Sequence, residues 1–306
     1  MLVIVAPGQG AQTPGFLGPW LDLPGVADRL TAWSDLIGLD LIACGTIADA
    51  DEIRDTAVAQ PLLVAAGLAV AEVLGASPHI VAGHSVGEFT AAALAGVLTP
   101  EQALLLVRER GLAMAKAASV TETGMSAVLG GVEEEVLAAV AEKGLTAANV
   151  NGAGQIVIGG TLEQLAAFKA EPPARVRVIP LAVAGAFHTE HMASAVDRLR
   201  EAAAEIGPTG PADPTVTLLS NRDGEAVASG TEFLERLVAQ VASPVRWDAC
   251  MATMAGLGAT TMIELVPGGT LTGLAKRALR GVTAVALKTP DDLEAARAAL
   301  GSNEER

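Results

Sequence analysis

The feature that most restricts the fold of this chain is the pentapeptide Gly83-His84-Ser85-Val86-Gly87. It follows the apolar run 79–82 and precedes a helix-forming run over 88–94. A serine between two glycines at a strand-to-helix turn is typical of a nucleophile elbow, which lifts the hydroxyl above the strand ends. The pattern predicts an α/β fold with Ser85 at a sheet edge and the Val86 N–H directed at an oxyanion formed there. The alternative is a chance match in a chain with 33 glycines.

Composition excludes several classes of protein. The 306 residues suffice for about two domains and a large core. No basic leader precedes the apolar start, and Glu72 interrupts the best apolar run, 62–74, so we expect neither a signal peptide nor a membrane span. Two cysteines are too few for a disulfide framework or a thiolate metal site, which favours a reduced, cytoplasmic protein. The net charge of −15 argues against nucleic-acid binding.

Strand and helix patterns alternate along most of the chain, which predicts an α/β-hydrolase-like large domain with a mainly parallel sheet. Its strands are predicted at 2–6, 80–83, 215–221, 261–266 and 283–287. Its helices are predicted at 61–75, 99–118, 231–242, 247–257 and 270–280. Thr99, the following proline and Gln102 indicate a capping box at the start of one of them.

The middle of the chain has a different order of elements, β-α-β-β-α-β, which is typical of a ferredoxin-like unit. The predicted elements are 125–129, 133–143, 146–150, 155–158, 161–170 and 175–181. We therefore predict a ferredoxin-like small domain over 122–183, inserted into a large α/β domain formed by 1–121 and 184–306. A cleft between the two is the expected place for a ligand. A polar, frayed tail is expected over 301–306.

A serine needs a base to become nucleophilic at neutral pH, and histidine is the usual one. The four histidines are His79, His84, His188 and His191. His79 begins the strand before Ser85 and should lie at its wrong end, while the side chain of His84 should diverge from its neighbour. His188 is the best candidate, because it lies in a loop after a predicted strand. A helix-capping or merely exposed histidine is the alternative.

Two other kinds of site have weaker support. A metal pair formed by His188 and His191 lacks a third ligand cluster, so no metal is expected. An acidic third member beside the serine and histidine has two candidates, Asp248 and Glu264, and nothing in the sequence distinguishes them.

Arg110 lies on the predicted 99–118 helix with apolar residues three and four positions away on both sides. A guanidinium on an apolar stripe is typical of a buried ligand for a carboxylate. The alternative is a snorkelling arginine at a domain edge. Arg108 has similarly apolar neighbours, so helical position alone does not choose between the two.

Seven short motifs, taken together, resemble the acyltransferase family of fatty-acid and polyketide synthases, which includes the malonyl-CoA:acyl carrier protein transacylases. Their order and spacing match over nearly the whole chain. They are Pro7-Gly8-Gln9-Gly10-Ala11-Gln12, Gly83-His84-Ser85-Val86-Gly87-Glu88, Arg108-Glu109-Arg110-Gly111, Asn151-Gly152-Ala153-Gly154-Gln155, Gly185-Ala186-Phe187-His188, Ser243-Pro244-Val245-Arg246-Trp247 and Glu264-Leu265-Val266-Pro267-Gly268.

The resemblance implies that Ser85 is the nucleophile and His188 the general acid/base, without an obligatory carboxylate. The backbone N–H groups of Gln9 and Val86 would form the oxyanion hole. Many relatives have glutamine at the position of Arg246, and its backbone carbonyl orients the histidine. The resemblance implies the same role for the carbonyl of Arg246.

The resemblance also implies how substrate is bound. Arg110, rather than Arg108, matches the arginine that pairs with the free malonyl carboxylate. Phe187 matches a bulky residue that crowds an α-methyl branch. The polar positions that line the cleft are Gln60, His84 and Asn151.

The implied function is transfer of a malonyl group from malonyl-CoA to the phosphopantetheine thiol of holo acyl carrier protein, through a malonyl-serine ester. Coenzyme A thioester is a substrate here, and no permanently bound cofactor is expected. A serine hydrolase (esterase or thioesterase) with the same elbow is the alternative, although a hydrolase of neutral esters has no use for a buried cation. A non-catalytic carrier-binding scaffold is disfavoured by intact Ser85, His188 and Gln9.

Docking of an acidic carrier protein needs a local basic patch, because the enzyme is itself acidic. The densest cluster is Lys276, Arg277 and Arg280, which would share a helix face through spacings of three and four. Arg175 and Arg177 would share the face of an edge strand through a spacing of two. The alternative is an ordinary solvated helix end.

Overall fold

The structure is a computed structural model that describes residues 1–206 and 210–304. Its first sheet has five parallel strands in the order β10-β9-β1-β2-β7. The strands are β1 (Leu2–Ala6), β2 (Ile80–Gly83), β7 (Thr217–Leu218), β9 (Thr261–Glu264) and β10 (Thr283–Ala286). All residues of β1, β2 and β9 are buried, as expected for a sheet covered on both faces.

Helices cover this parallel sheet. They are α1 (Val26–Ile37), α2 (Leu41–Thr46), α3 (Thr56–Leu74), α4 (Gly87–Leu94), α5 (Pro100–Ala118), α8 (Ala193–Ala204), α9 (Gly230–Ala239), α10 (Trp247–Gly256), α11 (Thr270–Ala278) and α12 (Asp292–Glu304). The predicted capping box at Thr99 and Gln102 starts α5. Helix α3 is long and apolar enough to cross a membrane, but 72% of its most apolar 18-residue window is buried, and it packs here against α5.

The second sheet has the order β6-β3-β5-β4-β8. Its elements are β3 (Thr123–Gly130), α6 (Glu133–Glu142), β4 (Thr146–Gly152), β5 (Gln155–Thr161), α7 (Leu162–Ala170), β6 (Val176–Pro180) and β8 (Val245–Arg246). The first four strands pair antiparallel in the β-α-β-β-α-β order that the sequence predicts. Strand β8 pairs parallel with β4 and comes from much later in the chain. The α/β fold class is confirmed. The domain boundaries at 122 and 183 stay a prediction, and the pairing of β4 with β8 joins residues on opposite sides of them.

Three local expectations were wrong. Helix α11 ends at Ala278, so Arg280 lies beyond it and does not share a helix face with Lys276. Arg175 precedes β6 with a φ of 62°, so the period-two argument does not apply to it. Helix α12 includes 301–304 of the expected frayed tail, and residues 305–306 lie outside the described part of the chain.

Candidate active site

The predicted elbow is present between β2 and α4. Ser85 has a φ of 53° at the turn between Gly83, the last residue of β2, and Gly87, the first of α4. A Cβ atom on Gly83 would lie 1.9 Å from the carbonyl carbon of Gly87, and one on Gly87 would lie 2.3 Å from the carbonyl oxygen of Ala6. Only glycine fits at both positions, because the turn packs backbone against backbone.

Ser85 and His188 are brought together as predicted. The Oγ of Ser85 lies 2.7 Å from Nε2 of His188, whose Nδ1 lies 2.8 Å from the main-chain oxygen of Gln240. A carbonyl oxygen only accepts, so Nδ1 carries the proton and Nε2 is free to accept from the serine hydroxyl. Burial, together with the charge of Arg110, lowers the pKa of His188 to about 3. The imidazole is therefore a neutral, correctly oriented base at neutral pH.

The carbonyl that orients His188 belongs to Gln240, so the expectation for Arg246 was wrong. Arg246 lies in β8, where its main-chain N–H donates to the oxygen of Asn221 and its exposed side chain pairs with Asp248. Gln240 begins a 3₁₀ turn beside the histidine loop, and the His188 N–H donates to the oxygen of Val241 in the same turn. A main-chain acceptor leaves no trace in residue type, which is why the sequence did not reveal it.

Neither carboxylate left open by the sequence lies against His188. Asp248 pairs with the Arg246 guanidinium at 2.8 Å. Glu264 accepts the main-chain N–H groups of three residues at the start of α11, which are Gly269, Leu271 and Thr272. His79 accepts from the main-chain N–H of Leu2, at the opposite end of β2 from Ser85. Among the described residues, no group of three or more His, Cys, Asp or Glu side chains could hold a metal ion.

The structure separates the two arginines of α5. Arg108 is half-buried and donates to the main-chain oxygen of Ala57. Arg110 is 1% exposed, and its Nη1 donates to Gln60 Oε1 at 2.7 Å. Its Nη2 lies 2.8 Å from Gln240 Oε1 and 3.4 Å from Ser85 Oγ.

The guanidinium of Arg110 also has a hydrogen-bond donor that is not used within the described part of the chain. Its Nε is buried and has no hydrogen-bond partner in the described part of the chain. Burial lowers its pKa to about 10, so the group is still a cation at neutral pH. A buried cation beside the serine hydroxyl is suited to bind an anionic group on whatever acylates that serine.

Two further residues complete the floor of the site, the hydrogen-bonded group formed by Ser85, His188, Arg110 and Gln240. Asn221, at the carboxyl side of β7, accepts the Ser85 N–H with Oδ1 at 2.7 Å and donates from Nδ2 to the Gly83 oxygen at 2.8 Å. Glu88, in the first turn of α4, accepts from the main-chain N–H of Asn221 at 2.6 Å and from the side-chain amide of Gln240. Sequence reasoning did not single out Asn221, although a polar residue at the end of the strand predicted over 215–221 was a sign that could have identified it.

A cavity of about 570 Å³ opens above Ser85. The predicted site residues that line it are Gln9, Gln60, His84, Ser85, Val86, Asn151, Phe187 and His188. The second sheet supplies one wall, with Met125, Asn149, Asn151, Gln155 and Val157. His84 Nε2 lies 2.9 Å from Asn151 Oδ1, and this contact joins the elbow to that wall.

Arg110 is not itself a lining residue, but it contacts two residues that are, Gln60 and Ser85. The side-chain amide of Gln9 donates to the main-chain oxygen of Arg54 and to Thr56 Oγ1, which anchors the first glycine-rich loop at the cavity edge. The five cations predicted to dock a partner are all exposed, in two groups, and are Arg175, Arg177, Lys276, Arg277 and Arg280.

Comparison with known proteins matches residues 3–299 to the acyl transferase domain family. A malonyl CoA-acyl carrier protein transacylase (MCAT) of Mycobacterium tuberculosis is 52% identical over 300 residues, covering 96% of this chain and 98% of the relative. The one from Bacillus subtilis is 34% identical and covers 96% of each.

Solved structures agree with these matches. The crystal structure of MCAT from Mycobacterium tuberculosis has a TM-score of 0.92, with 52% identity, and covers 96% of this chain and 99% of its own. A malonyl-transacylase in complex with its type II polyketide synthase acyl-carrier protein has a TM-score of 0.91 at 31% identity, covering 96% and 98%. With this length of match, and with the serine, histidine and arginine in one site, the chain belongs to the acyl transferase domain family.

Proposed function

We propose that this protein transfers a malonyl group from malonyl-CoA to the phosphopantetheine thiol of holo acyl carrier protein. The observation that supports this most directly is the position of Ser85 Oγ, 2.7 Å from a neutral imidazole and 3.4 Å from a buried guanidinium. The first group activates the hydroxyl, and the second suits an acyl group that ends in a carboxylate. The names of the relatives, malonyl CoA-acyl carrier protein transacylases, agree with this substrate pair.

In the first half-reaction, the Ser85 hydroxyl attacks the thioester carbonyl while Nε2 of His188 takes its proton. The tetrahedral intermediate collapses, the C–S bond breaks, and the imidazolium returns the proton to the departing CoA thiolate. The Gln240 carbonyl holds Nδ1–H, so the ring keeps one orientation throughout. The product is a malonyl-serine ester.

In the second half-reaction, His188 deprotonates the phosphopantetheine thiol and the thiolate attacks the ester. The C–O bond of the ester breaks, and Ser85 recovers its proton from His188. The same base therefore serves both steps, which predicts ping-pong kinetics.

The oxyanion of both intermediates is assigned to the backbone N–H groups of Gln9 and Val86. Val86 is the N-cap residue of α4, where main-chain N–H groups lack intrahelical acceptors. Gln9 lies across the cavity edge, on a loop anchored through its own side chain. Preorganised donors of this kind supply a large share of the rate in acyl transfer.

Acyl selectivity is assigned to Arg110 and Phe187. Arg110 pairs with the free carboxylate, and Phe187, 6% exposed in the cavity lining, crowds an α-methyl branch. Gln60 holds the guanidinium, and His84 with Asn151 lines the path of the pantetheine arm. A hydrolase of neutral esters would gain nothing from a buried guanidinium beside its nucleophile.

We place the product in fatty-acid biosynthesis, with polyketide biosynthesis as a second use, and the reaction in the cytoplasm. Two free cysteines, Cys44 and Cys250, agree with a reducing compartment. Burial raises the pKa of the Cys250 thiol, so it is inert rather than a competing nucleophile.

The experiment that tests the function is intact-mass measurement after mixing with malonyl-CoA, and again after adding holo carrier protein. We expect one malonyl adduct, mapped to Ser85, that disappears when carrier is added. Ser85→Ala should remove the adduct while the circular dichroism spectrum stays unchanged. An adduct on any other residue would refute the assignment.

Carrier docking is assigned to the exposed end of α11, because the first turns of that helix line the cavity through Thr270, Leu271 and Leu274. Lys276→Glu combined with Arg277→Glu should raise KM for carrier protein several-fold and leave malonylation by malonyl-CoA intact. The effect should shrink with salt, because exposed charges are screened over about 8 Å in physiological buffer. Lys169→Glu, an exposed change on α7, is the control. If both half-reactions fall together, this surface is not the docking site.

A further inference from the structure

The carboxyl of Glu88 takes no part in the chemistry above, yet it is 1% exposed and lies three residues after the nucleophile. Burying a carboxyl is costly unless it is hydrogen-bonded or paired with a charge. Both of its oxygens accept: one takes the main-chain N–H of Asn221, the other the side-chain N–H of Gln240. Its place in the first turn of α4 also favours negative charge.

Contacts with Arg110, with Glu88 and with the main-chain oxygen of Ser85 together fix which way the Gln240 side chain faces. The amide of Gln240 lies between the guanidinium of Arg110, which only donates, and two oxygens that accept, Oε2 of Glu88 and the main-chain oxygen of Ser85. Its Nε2 must therefore face Glu88, and its Oε1 must face Arg110 Nη2, at 2.8 Å. The opposite orientation would place donor against donor at Arg110 and acceptor against acceptor at Glu88.

We propose that Glu88 is a positioning residue for recognition of the acyl carboxylate. By accepting from the Gln240 amide it helps to present Arg110 with a neutral acceptor, one side chain away from the carboxyl itself. A carboxylate in direct contact with Arg110 would hold the guanidinium equally well but would compete with the substrate for it. The arrangement therefore locates Arg110 beside Ser85 while leaving its charge available. This inference rests on the proposed function.

Glu88 and Arg110 influence each other's pKa. The charge of Glu88 raises the pKa of Arg110 against the opposing effect of burial. Burial raises the pKa of Glu88 to about 8, while the Asn221 N–H, the Gln240 amide and the charges of Arg110 and Arg236 act in the opposite direction. No carboxylate is among the hydrogen-bond partners of Arg110 in the described chain, so direct contact does not neutralise its charge.

A second role of Glu88 is structural, because its bond to the Asn221 main chain supports the elbow. Loss of that support would slow every acyl donor by the same factor. Loss of the positioning role would slow malonyl transfer more than acetyl transfer, because only malonyl uses Arg110. The ratio of the two rates therefore separates the roles.

The experiment measures acylation of Ser85 by malonyl-CoA and by acetyl-CoA, by intact mass, in three variants alongside thermal melting. In Glu88→Gln the introduced amide presents a donor to Asn221 or Gln240, so we expect Gln240 to turn and Arg110 to lose its acceptor. The malonyl-to-acetyl ratio of kcat/KM should fall by about tenfold or more, the cost of leaving a buried donor unpaired. Glu88→Asp keeps a carboxyl group with both acceptor oxygens, so the ratio should stay within about threefold of wild type.

The decisive variant is the exchange Glu88→Gln with Gln240→Glu, which preserves the formal net charge and restores a donor–acceptor pair between positions 88 and 240, while the main-chain oxygen of Ser85 loses its donor. We expect its melting temperature to recover towards wild type while the malonyl-to-acetyl ratio stays low, because a carboxylate now pairs directly with Arg110. This double variant decides the matter even where Glu88→Gln alone fails to fold. An equal loss for both acyl groups, or recovery of malonyl transfer together with melting temperature, would overturn the proposal. Failure of the wild-type protein to form any malonyl adduct would instead refute the proposed function.

Discussion

The floor and the second-sheet wall of the cavity are held in different ways. On the floor, hydrogen bonds hold the N–H of Ser85 to Asn221 and its main-chain oxygen to Gln240, and they tie His188 and Arg110 to Gln240. On the wall, within the described chain, a single side-chain bond, from Asn151 to His84, reaches the elbow. The difference indicates that the geometry around Ser85 is set by the edge of the parallel sheet together with the turn at Gln240, whereas the second sheet supplies part of the cavity lining.

The cause is the direction of the strands. In a parallel sheet all carboxyl ends meet at one edge, so the residues after β1, β2 and β7 converge there, and they include Gln9, Ser85 and Asn221. An antiparallel sheet has no such edge, and it presents a face instead. The cavity forms where that face lies over the edge.

The largest effect is expected for His188→Ala, which removes a side chain of the floor. Loss of the general base should slow acylation of Ser85 by roughly 10² to 10⁴-fold. His191→Ala, a half-buried histidine three residues later, is the matched control and should retain near wild-type rates. Rapid-quench intact mass gives both rates, and a small loss in His188→Ala would mean that another group activates the serine.

Arg110→Ala tests selectivity on the floor. Removing a charge-assisted, buried pair should cost malonyl transfer about 2–4 kcal/mol relative to acetyl transfer. Arg108→Ala, two residues earlier on the same helix and at a side chain that donates to the main-chain oxygen of Ala57, should change both rates alike. Competition between malonyl-CoA and acetyl-CoA measures the ratio, and equal losses in Arg110→Ala would make that residue structural.

Asn151→Ala tests the wall. It removes the bond to His84, which is worth about 1 kcal/mol, and widens the cavity along the proposed path of the pantetheine arm. We expect KM to rise a few-fold for both substrates, with the acylation rate at saturation close to wild type. A loss of rate approaching that of His188→Ala would show that the wall belongs to the catalytic machinery.

The smallest expected effect is on the pH profile. Burial, with the charge of Arg110, lowers the pKa of His188 to about 3 from an ordinary value of 6.5. Because the neutral base is the form above that pKa, acylation of the free enzyme should not decline between pH 7.5 and 5.5 through protonation of His188. Single-turnover rates across this range check the point, and a midpoint near 6.5 would contradict it.

The sequence predicted those features whose cause is local. The glycines of the elbow and the Thr99 capping box act over a few residues, so their pattern is visible without the fold. Gln240 was missed because its two decisive contacts, one through main chain and one through an amide, depend on how the segment after α9 packs. Arg108 and Arg110 could not be separated on a helix alone, since their difference lies in what α3 and the elbow present to them.

The pairing of β8 with β4 has a mechanical consequence. Val245 and Arg246 lie opposite Asn149 and Val150, while the Arg246 N–H is bonded to the oxygen of Asn221. A displacement of the second sheet is thus transmitted through the β4–β8 pairing and the Arg246–Asn221 backbone bond to Asn221, whose side chain holds the turn at Ser85. Segment 122–183 is therefore joined to the rest of the protein by strand pairing as well as by its two chain connections. Deleting it would remove the pairing partner of β8 and weaken the support of the turn at Ser85.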